Sequence, residues 1–170
     1  KSTIVSLVPG QNTYTVAGQV PPSAAAGGGA VGGGSFPPPE RYTGRNGKLD
    51  PSELVSIGNG HRLEKNAANA YLQMVEAARQ QGISWSITDS YRTYETQVRL
   101  AQEKGLYSQG GLAAYPGTSN HGLGLAVDLG GGANSNGTPQ NNWLRANANR
   151  FGFFTIPREP WHWEYRGTGG

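Results

Sequence analysis

Residues 21–39 constrain the fold most. They read Pro21-Pro22, Ser23-Ala24-Ala25-Ala26, Gly27-Gly28-Gly29, Gly32-Gly33-Gly34 and finally Pro37-Pro38-Pro39. Gly runs behave as flexible coil and Pro runs as stiff spacers, and neither offers a face to bury. The segment reads as a linker. It divides the 170 residues into a β-rich segment, 1–20, and a folded domain, 40–170, long enough for one core. The first segment holds two β-type runs, residues 3–8 and 12–16, around a Pro9-Gly10 turn signal. It reads as a hairpin or as the last strands of a preceding domain. The chain starts at Lys1 without Met, which reads as a fragment of a longer polypeptide or a processed chain.

Within the domain the elements intermix. Residues 40–60 read as an irregular arm, with a short helix after Asp50 capped by that residue and opened by Pro51. Residues 62–81 are the clearest helix: Leu63, Ala67, Ala70, Tyr71, Met74, Val75 and Ala78 make one apolar face, and Gly82 stops it. Residues 83–88 alternate as a strand. A second helix follows over 93–102, with Thr93 as cap and Gly105 at its end. Residues 106–120 read as a Gly-rich loop, and residues 124–129 as a central strand. After the loop of 130–137, Thr138-Pro139 opens a third helix carrying Trp143, Leu144 and Phe151. Two closing strands follow, residues 153–155 and 161–165. With no regular βαβ repeat, this predicts an α+β domain with a mainly antiparallel sheet and about three helices.

Three histidines and no cysteine limit the metal chemistry available. In Ser119-Asn120-His121-Gly122-Leu123-Gly124-Leu125-Ala126-Val127-Asp128, six residues separate a histidine from a carboxylate. Glu159-Pro160-Trp161-His162-Trp163-Glu164 adds a second histidine and two carboxylates. His121, Asp128 and His162 form a candidate three-ligand catalytic zinc site, the fourth position being left to water. Spacing does not choose between Glu159 and Glu164 as the base. On the last strand, His162 and Glu164 share one face and Trp161, Trp163 and Tyr165 the other. Each piece has a plainer reading. His162 also reads as a packed histidine, His61 as a loop histidine and Arg92 as a surface cation. The net charge of +3 makes no basic stripe, which argues against nucleic acid. No run of about 18 apolar residues exists to span a membrane.

Three stretches taken together resemble a known family. They are Thr88-Asp89-Ser90-Tyr91-Arg92-Thr93-Tyr94-Glu95-Thr96-Gln97, residues 116–129 around His121 and Asp128, and residues 159–164. In this order they closely resemble the VanY-type D-alanyl-D-alanine carboxypeptidases. These group with VanX-type dipeptidases and phage L-alanyl-D-glutamate endopeptidases, zinc peptidases acting on peptidoglycan stem peptides. The resemblance covers roughly residues 45–166. It implies zinc held by His121, Asp128 and His162. It implies Glu159 as general base, because the family's Glu stands three residues before the ligand His. It also implies Arg92 as the cation that steadies the oxyanion, and Ser119, Gln97 and Tyr91 as residues near the substrate.

The implied activity is hydrolysis of an amide bond in peptidoglycan stem peptides, by a D,D-carboxypeptidase or an endopeptidase. Location outside the cell or at the wall follows. The tether and the chain boundaries suggest a phage lysin or a tail-associated, virion-borne module; a secreted bacterial carboxypeptidase is the second reading. A different class stays open: an inactive, zinc-containing wall-binding or structural module, as in the hedgehog-like relatives of the fold. The loops at 105–118 and 130–138 are expected to shape the pocket.

Overall fold

The computed structural model describes residues 3–5, 14–16, 35–40 and 45–168. Strands β1 (Thr3–Val5) and β2 (Tyr14–Val16) pair antiparallel, Thr3 against Val16 and Val5 against Tyr14. That is the hairpin arrangement expected across Pro9-Gly10, although the turn itself lies outside the described residues.

The domain's core forms around α1 (Lys65–Gln80), where Ala67, Ala70, Tyr71, Met74 and Ala78 are buried as the spacing predicts. The helix starts three residues later than residue 62, because Glu64 caps it. The Glu64 side chain accepts from Asn66 N at 3.1 Å and Ala67 N at 3.0 Å, two donors left without intrahelical partners. Residues before the cap form a hairpin instead of an irregular arm. Strand β3 (Leu54–Gly58) pairs with β4 (His61–Glu64) through Asn59 and Gly60, both at positive φ of 52° and 80°. Asn-Gly is the sequence signal for such a turn. His61 therefore stands on a strand. Ahead of the hairpin, Asp50 caps a 3-10 turn, Pro51–Glu53, as expected.

A four-stranded antiparallel sheet carries the rest. It contains β5 (Ser86–Asp89), β6 (Ala126–Gly130), β7 (Phe153–Ile156) and β8 (Glu159–Tyr165), in the order β5-β6-β8-β7. The strand expected at residues 124–129 is central, as predicted. Its side chains alternate. Val127 and Leu129 are fully buried in the core, with Trp163 and Tyr165 of β8 beside them. Asp128 and His162 point to the opposite face. Two further helices complete the α+β fold among the described residues. Helix α2 (Tyr94–Lys104) has Thr93 Oγ1 accepting from Thr96 N at 3.2 Å and ends at Gly105, φ 71°. Helix α3 (Pro139–Asn147) has Thr138 as its cap and continues as a 3-10 turn to Phe151. No helix among the described residues is long and apolar enough to cross a membrane.

The segment expected to be linker joins the domain earlier than residue 40. Phe36 is 4% exposed, with its ring 5.6 Å from that of Phe151. Phe36 N donates to Thr168 Oγ1 at 2.8 Å, Asn66 Nδ2 donates to the Pro38 carbonyl at 3.1 Å, and the Tyr165 hydroxyl donates to the Pro37 carbonyl. An aromatic side chain directly before the Pro run supplies the apolar area that the glycines before it lack. Phe36→Ala should lower unfolding stability by about 3 kcal/mol in denaturant titration. A loss under about 0.5 kcal/mol would mean that the segment only rests on the surface.

Candidate metal centre and active site

His121 comes from a 3-10 turn, Asn120–Leu123, just before β6. Ser119 Oγ caps that turn by accepting from His121 N at 3.2 Å. The turn is packed too tightly for side chains at its glycines. A Cβ on Gly122 would stand 1.9 Å from Asn46 Oδ1, and one on Gly124, φ 68°, would stand 2.6 Å from Glu64 N. Asp128 and His162 are direct partners across the β6–β8 ladder. One donor atom from each of His121, Asp128 and His162 lies within 4.8 Å of the others. The three residues separated by 41 positions of sequence thus converge on one face of the sheet.

The histidine tautomers are set by their outer partners. His121 Nδ1 lies 2.8 Å from the Ser90 carbonyl, so that nitrogen donates and Nε2, 3.3 Å from Asp128 Oδ1, faces the cluster. His162 turns Nδ1 to Asp128 Oδ1 at 2.9 Å and Nε2 to Glu164 Oε1 at 3.0 Å. His162 and Glu164 do share one face, as expected.

Electrostatics favour a cation here. Burial pushes the Asp128 carboxyl up, but the hydrogen bonds to His121 and His162 outweigh it and hold the group well below the usual carboxylate range. Burial pushes His162 down, but its bonds to Asp128 and Glu164 raise it to about 9. The hydrogen bond from His162, helped by Asn120 and Arg166 against burial, holds Glu164 at about 2. Two imidazole nitrogens and a carboxylate oxygen are a donor set that suits a divalent metal, and a cation there replaces the proton that His162 otherwise keeps.

The remaining site residues surround this group. Arg92 is held by Asp89 through Nε at 3.1 Å and through Nη2, and its side chain is 16% exposed. Arg92 N also donates to the His121 carbonyl at 3.0 Å. Asp89 faces Asp128 in the β5–β6 register, so Asp89, Asp128 and His162 form a row across three strands. Tyr91 turns its hydroxyl to Leu49 N at 3.1 Å. Gln97 is buried with both ends of its amide engaged. Nε2 donates to Asn46 Oδ1 at 3.1 Å and to the Arg92 carbonyl at 3.3 Å, and Oε1 accepts from Gly117 N at 2.8 Å. A substrate group reaching Gln97 must replace one of these bonds. Glu159 opens β8, and its Oε1 accepts from the Tyr107 hydroxyl at 3.1 Å. Glu164 is engaged with His162 instead.

The sequence puts Glu164 on one face with His162 but assigns no role to Asp89 or to the Ser90 carbonyl. Asp89 stands three residues before Arg92, and Glu164 two after His162, spacings from which both partnerships were legible. The Ser90 carbonyl carries no side-chain signal. His61 stays outside the cluster but bonds Ser90 Oγ through Nδ1 at 2.8 Å, touching the residue that orients His121. The 105–118 loop reaches the site through Tyr107. The 130–138 loop is tied to β8 through Asn141, which donates to the carbonyls of Ala133 at 2.9 Å and Pro160 at 3.2 Å.

The family model described as "VanY: D-alanyl-D-alanine carboxypeptidase" matches residues 60–168. A D-alanyl-D-alanine carboxypeptidase of Enterococcus faecalis is 34% identical over 140 residues, covering 68% of this chain and 52% of that protein. The chain spans about half the length of the curated relatives it matches. Among solved structures, VanYB in complex with D-alanine-D-alanine has 34% identity and a TM-score of 0.57, covering 68% of this chain and 77% of that one. A mutant of the vancomycin resistance D,D-pentapeptidase VanY, in complex with Zn(II), has 33% identity and a TM-score of 0.56, covering 66% and 78%. With the family model spanning most of the chain, and with a curated relative above 30% identity, this chain belongs to the VanY family of D-alanyl-D-alanine carboxypeptidases.

Proposed function

We propose that the domain is a zinc-dependent D,D-carboxypeptidase that removes the terminal D-alanine from peptidoglycan stem peptides. The observation that carries this reading is the convergence of His121, Asp128 and His162 within 4.8 Å, in a family whose relatives were solved with Zn(II) and with D-alanine-D-alanine. A zinc ion held by these three side chains supplies Lewis-acid polarisation of the scissile carbonyl and lowers the pKa of water.

The chain's own residues do the rest. Glu159 takes a proton from water as its oxygen attacks the carbonyl carbon, then passes that proton to the departing amine. Arg92, fixed by Asp89, offers its guanidinium to the oxyanion that develops. The Ser90 carbonyl and Glu164 fix the orientation of the two histidines, the usual task of outer partners in such sites. Ser119, Tyr91 and Gln97 take the substrate-side positions that the family resemblance implies, and Gln97 also ties Asn46, Arg92 and Gly117 together. The Gly- and Pro-rich composition of residues 21–39 supports use as a tethered module acting on the wall, outside the cytoplasm, as in a phage lysin or virion-borne enzyme.

The deciding experiment is mass spectrometry of stem pentapeptide and whole muropeptides after digestion by the zinc-loaded protein. Loss of one D-alanine is expected. A cut between L-alanine and D-glutamate instead identifies an endopeptidase, and intact peptide from a zinc-loaded protein sinks the enzyme reading. Glu159→Ala should lower D-alanine release at least about 100-fold while zinc content stays that of the wild type. Glu164→Gln should weaken zinc about 10- to 100-fold in a chelator competition. Metal affinity should also depend on pH. His162 keeps its proton below about 9, and binding must expel it. Affinity therefore rises with pH by up to about tenfold per unit, flattening above about pH 9. A chelator titration that is flat from about pH 6 to about pH 9 would contradict His162 as a ligand.

A further inference from the structure

The scheme uses Glu159 and leaves its neighbour Tyr107 without a role. Tyr107 begins a 3-10 turn, Tyr107–Gln109, on the loop that follows α2. It is 55% exposed, so core packing does not account for a tyrosine there. Its hydroxyl nevertheless donates to Glu159 Oε1 at 3.1 Å, between residues 52 positions apart.

The loop is built to keep it in place. Tyr107 N donates to the Ala113 carbonyl at 2.7 Å, and Ala113 N donates to the Gly105 carbonyl at 2.9 Å, so the loop closes on itself. A Cβ on Gly111 would stand 2.2 Å from the Gly105 carbonyl carbon, so that crossing requires glycine. The charged groups around the hydroxyl are Glu159, Asp128 and Arg92. Burial and the two carboxylates push the phenol pKa up against Arg92, so near neutrality Tyr107 acts toward Glu159 as a donor.

A general base works only when its carboxylate points at the proton it takes. The terminal torsion of a glutamate is broad and roughly two-fold, so an unsupported Glu159 samples many orientations. A hydrogen bond to one oxygen narrows that range. We propose that Tyr107 is a positioning residue for the reaction, its hydroxyl fixing the Glu159 carboxylate for proton transfer and the loop of residues 105–113 serving as its mount. This rests on the role assigned to Glu159 above.

The test compares the wild type with Tyr107→Phe, Glu159→Ala and the double variant. Release of D-alanine, zinc content, thermal midpoint and calorimetric binding of uncleaved stem peptide to the two Glu159→Ala proteins are measured. Tyr107→Phe should lower kcat about tenfold with KM, zinc content and midpoint unchanged. The double variant should bind the peptide as tightly as Glu159→Ala alone. An unchanged kcat overturns the proposal. So does a fall accompanied by lost zinc or a lower midpoint, which marks a structural role. Weaker peptide binding by the double variant also overturns it, making Tyr107 a substrate contact. If Glu159→Ala itself keeps wild-type kcat, the failure lies with the role of Glu159 and not with Tyr107 alone.

Discussion

The Asp128 carboxylate sits where the demands of folding and of the site meet. It belongs to the central strand of the sheet, between Val127 and Leu129, whose side chains fill the core. A carboxylate at such a place is costly unless it is paired and hydrogen-bonded. Both partners here are histidines brought from elsewhere: His162 by strand pairing, and His121 by a turn that folds back onto the sheet. The glycines of that turn follow from this requirement. The chain must approach Asn46 and Glu64 closely enough to return His121 to Asp128, and no side chain fits in the gap.

Position within the sheet then does most of the orienting. Asp128 and His162 face each other in a regular stretch of the β6–β8 ladder, and Asp89 joins their row through a shift in the β5–β6 register between Ile87 and Asp89. A slip of one residue in either pairing would turn a member of that row into the core. Arg92 follows Asp89, and Glu164 follows His162, so the cation and the outer carboxylate inherit the same register. Backbone supplies the remaining partner: the Ser90 carbonyl, just beyond β5, holds His121 from the far side. Ser90 is in turn held by Arg62 N and His61 on the hairpin strand β4, so that hairpin belongs to the support of the site.

Much of this was legible in the letters, for physical reasons. The apolar face of α1, the Thr93 and Thr138 caps and a central strand near 124–129, observed at 126–130, follow from periodicity and capping chemistry. So did the candidate metal group of His121, Asp128 and His162, because few residue types can bind a metal and no cysteine competes. Two errors have clear causes. The β3–β4 hairpin was hidden because its pattern runs into the helix without a break, although Asn59-Gly60 signalled the turn. The linker boundary at residue 39 came from reading Pro37-Pro38-Pro39 as spacer, when Phe36 beside it anchors the run. Contacts between segments far apart in sequence, such as Tyr107 with Glu159, depend on tertiary closure and leave no local trace.

The docking of residues 36–40 also has a mechanical side. Among the described residues, tension applied along the chain from its N-terminal side would enter the domain at Phe36. From there it passes to the Thr168 hydroxyl and, through the Pro37 carbonyl, to Tyr165. Tyr165 ends the strand that holds His162, and Pro38 and Pro39 share a hollow with Asn120, Glu164 and Arg166. The load path therefore ends beside the ligand set, on a strand clamped by partners on both edges. Movement of this anchor would therefore reach His162 only through a strand hydrogen-bonded to β6 on one edge and β7 on the other.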